Sequence, residues 1–176
     1  MATWRPRWRG SDICLTEFLL RDGFLAGAGL RFRAAVGKAG ISERKVEGDG
    51  ATPAGEMRLL RVLYRADRGQ APDCKVPLEP IGPADGWCDD PERSSYNQMV
   101  RLPFEGRHEV LWRTDGLYDV IGVLDWNMAP VVKGRGSAIF LHVATADHAP
   151  TDGCVALAAA DLRQCLAAGL SKILVA

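Results

Sequence analysis

The stretch Ile139 to Leu157, IFLHVATADHAPTDGCVAL, constrains the chain more than any other, because it sets a histidine, a tight polar turn and a cysteine within nineteen residues. Ile139, Phe140, Leu141, His142 and Val143 form a short apolar run rich in β-formers, which predicts a buried strand ending at or just after His142. Pro150, Thr151, Asp152 and Gly153 make a turn, with Cys154 directly after its glycine. Placed ahead of a predicted helix, Cys154 would meet backbone N–H groups able to hold a developing negative charge. A thiol is a poor nucleophile until it is deprotonated, and an imidazole within hydrogen-bond reach takes that proton. His142, twelve residues upstream, is the candidate partner. Residue types alone leave a second reading open, a buried structural cysteine beside a core histidine.

The order strand, His142, loop, then Thr151-Asp152-Gly153-Cys154-Val155 resembles the signature of the L,D-transpeptidase (YkuD-like) catalytic domain, a histidine followed by a variable loop and S-x-G-C-[IV]-R. Thr151 stands at the serine position and keeps the hydroxyl. Ala156 stands where many members carry arginine, which removes a fixed charge and a fork of donors from the site wall. Upstream, Gly48-Asp49-Gly50-Ala51-Thr52-Pro53-Ala54-Gly55 resembles the family's T-P-x-G element.

The resemblance runs from about Ile13 to the end and is weakest between Asp67 and Val132. It implies a mainly β fold, an L,D-transpeptidase-like β-sandwich with a few short helices and a proline-rich insertion over the site. It also implies acyl transfer through a thioester. His142 would act as general base and acid and Cys154 as nucleophile on peptidoglycan stem peptides. Backbone N–H groups near Gly153 and Cys154 would hold the oxyanion, and Thr151 would orient His142. A side-chain amine of a second stem would accept the acyl group; with water as acceptor the same site would be an L,D-carboxypeptidase. No cofactor is required, carbapenem-type lactams are expected covalent inhibitors, and the resemblance suggests a periplasmic or cell-envelope location.

The remaining sequence bounds these expectations. One domain over residues 13–176 follows from the length of 176 residues, with 1–12 as an N-terminal tail. With 22 basic and 22 acidic residues, the chain lacks the basic excess of a nucleic-acid binder, so no nucleic-acid partner is expected. No apolar run approaches a membrane span, so no transmembrane segment is expected. The opening MATWRPRWRGSD lacks the clean apolar core of a signal peptide and is read as a tail that is mobile or packs a tryptophan on the domain. Five cysteines with no C-x-x-C spacing argue against a zinc knuckle; Cys14 and Cys165 read as core fillers, and Cys74 and Cys88 as unpaired thiols that could bridge in an exported protein.

Strands are predicted from Ile13 to Leu20, from Leu30 to Val36, where apolar and polar residues alternate, and from Met57 to Tyr64. Val76 to Ile81 reads as a short edge strand, and His108 to Trp112 and Leu117 to Asp125 as two more. A helix is predicted over Ala158 to Ala168, closing at Gly169, with a last strand from Lys172. The glycine-rich Gly37 to Gly55 lacks a phosphate-loop pattern and reads as a long β-connection whose exit is fixed by Thr52 and Pro53. Trp87, Tyr96 and Asn97, with Asp89 and Asp90, combine rings, an amide and carboxylates; this mix suits either a substrate-binding groove or a self-packed satellite core. Two rivals to the thiolate reading remain, a zinc hydrolase ligated by His142, His148 and Cys154, and a cell-wall binding domain that has lost catalysis.

Overall fold

The structure is a computed structural model that describes residues 16–176. The tail, Cys14 and the start of the first predicted strand lie outside the described residues. In chain order the elements are β1 (Thr16–Arg21), β2 (Phe24–Gly27), β3 (Leu30–Ala35), β4 (Ile41–Ser42), β5 (Thr52–Pro53), β6 (Gly55–Tyr64) and β7 (Leu78–Pro80). These are followed by β8 (Asp85–Cys88), β9 (Met99–Arg101), β10 (His108–Val110), β11 (Val120–Leu124), β12 (Phe140–Val143), β13 (Val155–Leu157), α1 (Ala159–Ala167) and β14 (Leu170–Val175). The protein is mainly β, with one short helix among the described residues.

Local chemistry explains the first strands. Asp22 and Gly23 both take positive φ, the geometry of a two-residue hairpin turn, and so fold β2 antiparallel onto β1. β3 continues the meander against β2. Strand order is then β11-β12-β13-β3-β2-β1-β14-β6-β7, and β6 also pairs with β11, so the ladder closes on itself. The ten residues of β6 make this possible, because Gly55 to Arg58 pair with β14 and Leu59 to Tyr64 pair with β11.

Alternate residues of the strands β11, β12 and β13 point to opposite faces, and both faces are buried. Val120, Leu124, Ile139, Leu141, Val155 and Leu157 join one core with Phe18, Leu20, Leu25 and Met57 from the facing strands. The helix α1 contributes Leu162, Cys165 and Leu166 to that core, all 0% exposed. Each such leucine contributes about 1.5–3 kcal/mol relative to leaving it in water. On the other face Ile121, Val123, Phe140 and Cys154 meet Trp87, Leu111 and Tyr118, a second core roofed by the proline-rich tract.

That tract holds its own sheet of order β10-β8-β9. The β8 and β9 strands escaped the sequence reading, since four and three residues are too few to show a period. A second difference bears on the site. Cys154 is followed by β13 before α1 begins, so the helix N-terminus is not at the thiol as the sequence suggested.

Candidate active site

Two rungs of the sheet place the candidate pair. β12 and β13 run parallel, with Leu141 opposite Val155 and His142 opposite Ala156, which sets Cys154 beside Phe140 one rung away. His142, Phe140, Cys154 and Ala156 therefore share the outer face, whereas Leu141 and Val155 turn inward. His142 and Cys154 both line a cleft of about 720 Å³ that opens between this face and the proline-rich tract.

Cys154 is 8% exposed. Its thiol donates to the Ala138 carbonyl at 3.2 Å, and the Phe140 N–H donates to the sulfur at 3.4 Å. Burial pushes the thiol well above its ordinary value and the Glu109 carboxylate adds to the rise, while the Phe140 N–H and the Lys45 ammonium pull it down. The resting cysteine is therefore a neutral thiol. His142 is 6% exposed, and its Nδ1 lies 2.9 Å from the Val143 carbonyl. A carbonyl can only accept, so Nδ1 carries the proton in this contact and Nε2 is left as the basic nitrogen. Burial lowers the imidazole's pKa, so His142 is neutral too. The Tyr118 ring packs edge-on against it at 5.4 Å between centroids, and the Tyr118 hydroxyl donates to Glu109.

The turn before the cysteine is held from within. Gly153 has φ +136°, and a Cβ there would lie 2.9 Å from the Ala51 carbonyl, so only glycine fits. The Thr151 hydroxyl accepts the Gly153 N–H at 3.1 Å and donates to the Cys154 carbonyl at 2.7 Å. Thr151 thus orients the cysteine's own turn; its side-chain bonds do not reach His142, as the sequence reading had it. The Gly153 N–H is likewise committed to Thr151 and is no free oxyanion donor.

The upstream motif docks on the same turn. The Thr52 hydroxyl accepts the Gly37 N–H at 2.8 Å and donates to the Cys154 carbonyl at 3.3 Å. Main-chain bonds from Thr151 to Val36 and from Lys38 to Thr151 complete the seam. The two sequence motifs, about a hundred residues apart, meet at one carbonyl.

Trp87, Tyr96 and Asn97 do not line the cleft. Each is 1% exposed. Asn97 accepts from the Trp87 indole N–H and the Ala138 N–H, both at 3.0 Å, and donates to the carbonyls of Trp126 and Asn127. The Tyr96 hydroxyl donates to Glu47 and accepts the Gly136 N–H. The satellite-core alternative describes them, for a physical reason: every polar atom they bring is used to fix the segment whose Ala138 carbonyl receives the thiol. Of that tract Asp89 does line the cleft. Cys74 and Cys88 are free thiols, bonded to the separate carbonyls of Val76 and Asp90.

Three features of the site were not legible as such. Lys45 is 6% exposed and lines the cleft, and Glu109 and Tyr118 close its far wall. Among the described residues no group of histidine, cysteine and carboxylate side chains is arranged to hold an ion, and His142, His148 and Cys154 do not form one. Both ring nitrogens of His148 are buried without a hydrogen-bond partner. No helix of the described residues is long and apolar enough to cross a membrane.

No curated protein matches the chain closely enough to serve as a relative. The model of the YkuD family, the L,D-transpeptidase catalytic domain, matches residues 18–168, a span that takes in the Thr52 seam, His142 and Cys154 together. The chain belongs to the L,D-transpeptidase catalytic domain family.

Proposed function

We propose that the protein is a cysteine-dependent L,D-transpeptidase that acts on peptidoglycan stem peptides through a thioester acyl-enzyme. One observation carries the reading. Cys154 and His142 lie on the same sheet face, two residue positions apart along the ladder, and both line a cleft of about 720 Å³. In the resting state the thiol is turned to Ala138 rather than bonded to His142. Catalysis then begins when the thiol leaves that carbonyl and gives its proton to His142 Nε2. The sulfur attacks the carbonyl carbon between the L-centre and the D-residue, a C–S bond forms, and the C=O pair moves onto oxygen. The Cys154 N–H, the amide after the one Thr151 holds, receives that oxyanion. Collapse breaks the C–N bond, and the imidazolium returns its proton to the departing D-alanine nitrogen.

A side-chain amine of a second stem then takes the acyl group from sulfur. Water in its place would make the same site an L,D-carboxypeptidase. Both readings require an acyl-enzyme on Cys154. Intact-mass spectrometry with a carbapenem should show a covalent adduct on wild type and none on Cys154→Ala, and a tetrapeptide stem ending in D-alanine should be turned over by wild type alone. Assays with and without an amine acceptor divide the two outcomes by product. With Ala156 in place of arginine, a charge-assisted anchor for the substrate carboxylate is absent at that position, so affinity about ten- to a hundredfold weaker is expected than where such an anchor exists. Neither adduct nor turnover at millimolar ligand would sink the proposal in favour of a non-catalytic wall-binding domain.

A further inference from the structure

Lys45 is a buried cation that lines the cleft. Its side chain is 3% exposed. The ammonium donates to the Val46 carbonyl at 3.0 Å and to Asp49, and the chain packs along Gly136, where a Cβ would lie 3.1 Å from its Cγ and Cε. Asp49 in turn accepts the N–H groups of Val46 and Ala51, and with the Lys45 bond these hold its carboxyl below the usual range against the cost of burial. Asp49 is therefore ionised and is the anion that accepts the Lys45 bond. An ammonium carries three protons, and two are accounted for by these bonds. Its nitrogen stands 3.6 Å from the point where a Cβ on Gly153 would be, next to the nucleophile's turn, and Lys45 and Cys154 line the same cleft.

From this geometry we infer that Lys45 is a positioning residue for the nucleophile: its ammonium, pinned by Asp49 beside Gly153, is the counter-charge that lets Cys154 become a thiolate in a buried site. The inference rests on the reading of Cys154 as nucleophile and adds what makes that possible. The charges around the sulfur show the need. Glu109 from β10 and Asp152 from the cysteine's own turn both oppose a thiolate, and the neutral Tyr118 and His142 contribute no resident positive charge. Lys45 is a cation that acts on the sulfur in the favourable direction; Lys38 pairs with the exposed Asp152 at 2.6 Å, and Arg113 acts on His142 and pairs with Asp115. Glu47, two residues on, is occupied by Tyr96 and Ser137 and leaves the ammonium to Asp49.

The test reads the sulfur's charge directly, through site-resolved mass spectrometry of Cys154 alkylation by iodoacetamide as a function of pH. The midpoint of the profile is the readout, because a thiolate of higher pKa is intrinsically more nucleophilic and partly masks a loss of its population. Lys45→Met should move the midpoint up by about one unit, a tenfold loss of thiolate below it. Asp49→Asn removes the anion and keeps one of the two oxygens that in wild type accept the Val46 and Ala51 N–H groups separately, and should move the midpoint down. Opposite shifts in the two variants are what a counter-charge requires. Unchanged midpoints, or shifts of the same sign, in proteins with wild-type thermal transitions would overturn the inference. If Lys45→Met does not fold, Lys45→Gln, which keeps a donor but no charge, decides: an upward shift supports the role, and no shift or a fall removes it. Alkylation needs no peptide substrate, so this result stands whether or not the chain turns over a stem peptide.

Discussion

Leu141 and His142 are neighbours on one strand, yet they belong to different parts of the molecule. Leu141 points into the core between the two sets of strands and is 0% exposed; His142 points to the roofed face and is 6% exposed. Burial is nearly the same, and its meaning is opposite. On the inner face Leu141 packs among apolar side chains such as Phe18, Leu25 and Val155, so burial is simply favourable and the demand on the residue is its shape. On the outer face burial is imposed on groups that would rather be solvated. It lowers the His142 pKa, raises the Cys154 thiol and raises the Glu109 carboxyl. One pleat separates stability from reactivity, and the β12 register decides which residue falls on which side.

The sharpest way to test that division is to exchange one residue at a time across it. His142→Ala should lower acyl transfer by about 10²- to 10⁴-fold, the usual contribution of a general base, with the thermal transition near that of wild type. A variant that keeps full activity would remove His142 from the mechanism. Leu141→Ala, one residue away, should destabilise by about 2–5 kcal/mol through lost transfer energy and a cavity. Its turnover at temperatures where it remains folded should stay close to wild type. If Leu141→Ala were as inactive as His142→Ala, the two faces would not be separable.

The smallest expected effect is a pH dependence carried by one side chain. The folded His142 pKa lies below its ordinary value of 6.5, so between the two values the unfolded chain binds more protons than the native one. Stability then rises with pH across that interval. Wild type should therefore lose stability relative to His142→Gln as pH falls below about 6.5, levelling off once the folded imidazole also titrates. Thermal transitions of the two proteins from pH 5 to 8 check this, and a constant difference would mean that His142 is not desolvated in solution.

How much of this was readable in the sequence depends on whether the deciding interaction is local. Asp22-Gly23 and the alternation of Leu30, Phe32 and Ala34 carry their own instructions, and β1 to β3 appear where those residues point. Val155, Ala156 and Leu157 do not. They precede an alanine-rich helix and become a strand because β12 offers them a parallel edge, each partner fourteen residues away. Lys45 and Asp49 illustrate the same limit at the site. In a glycine-rich, charged tract they have the composition of a solvated loop, and Lys45 is buried with Asp49 half-buried beside it because Gly37, Thr52 and Thr151 draw that loop onto the cysteine's turn. Trp87 and Asn97 fit a groove or a core equally well by type. Their bond to each other and to Ala138 assigns them to the core.

The closed ladder has a consequence for the order in which the protein can be made. β14 lies between β1 and β6, pairing parallel with the first and antiparallel with the second, so residues near the two ends of the described chain are neighbours. During synthesis β1 to β3 emerge early and wait with one edge unfilled until Leu170 to Val175 have left the ribosome. The chain must close a loop of roughly its own length before that edge is satisfied, a topology associated with folding in milliseconds to seconds rather than microseconds. A nascent chain stopped just after Ala156 would possess every residue that lines the cleft and still lack the strand that joins its two halves.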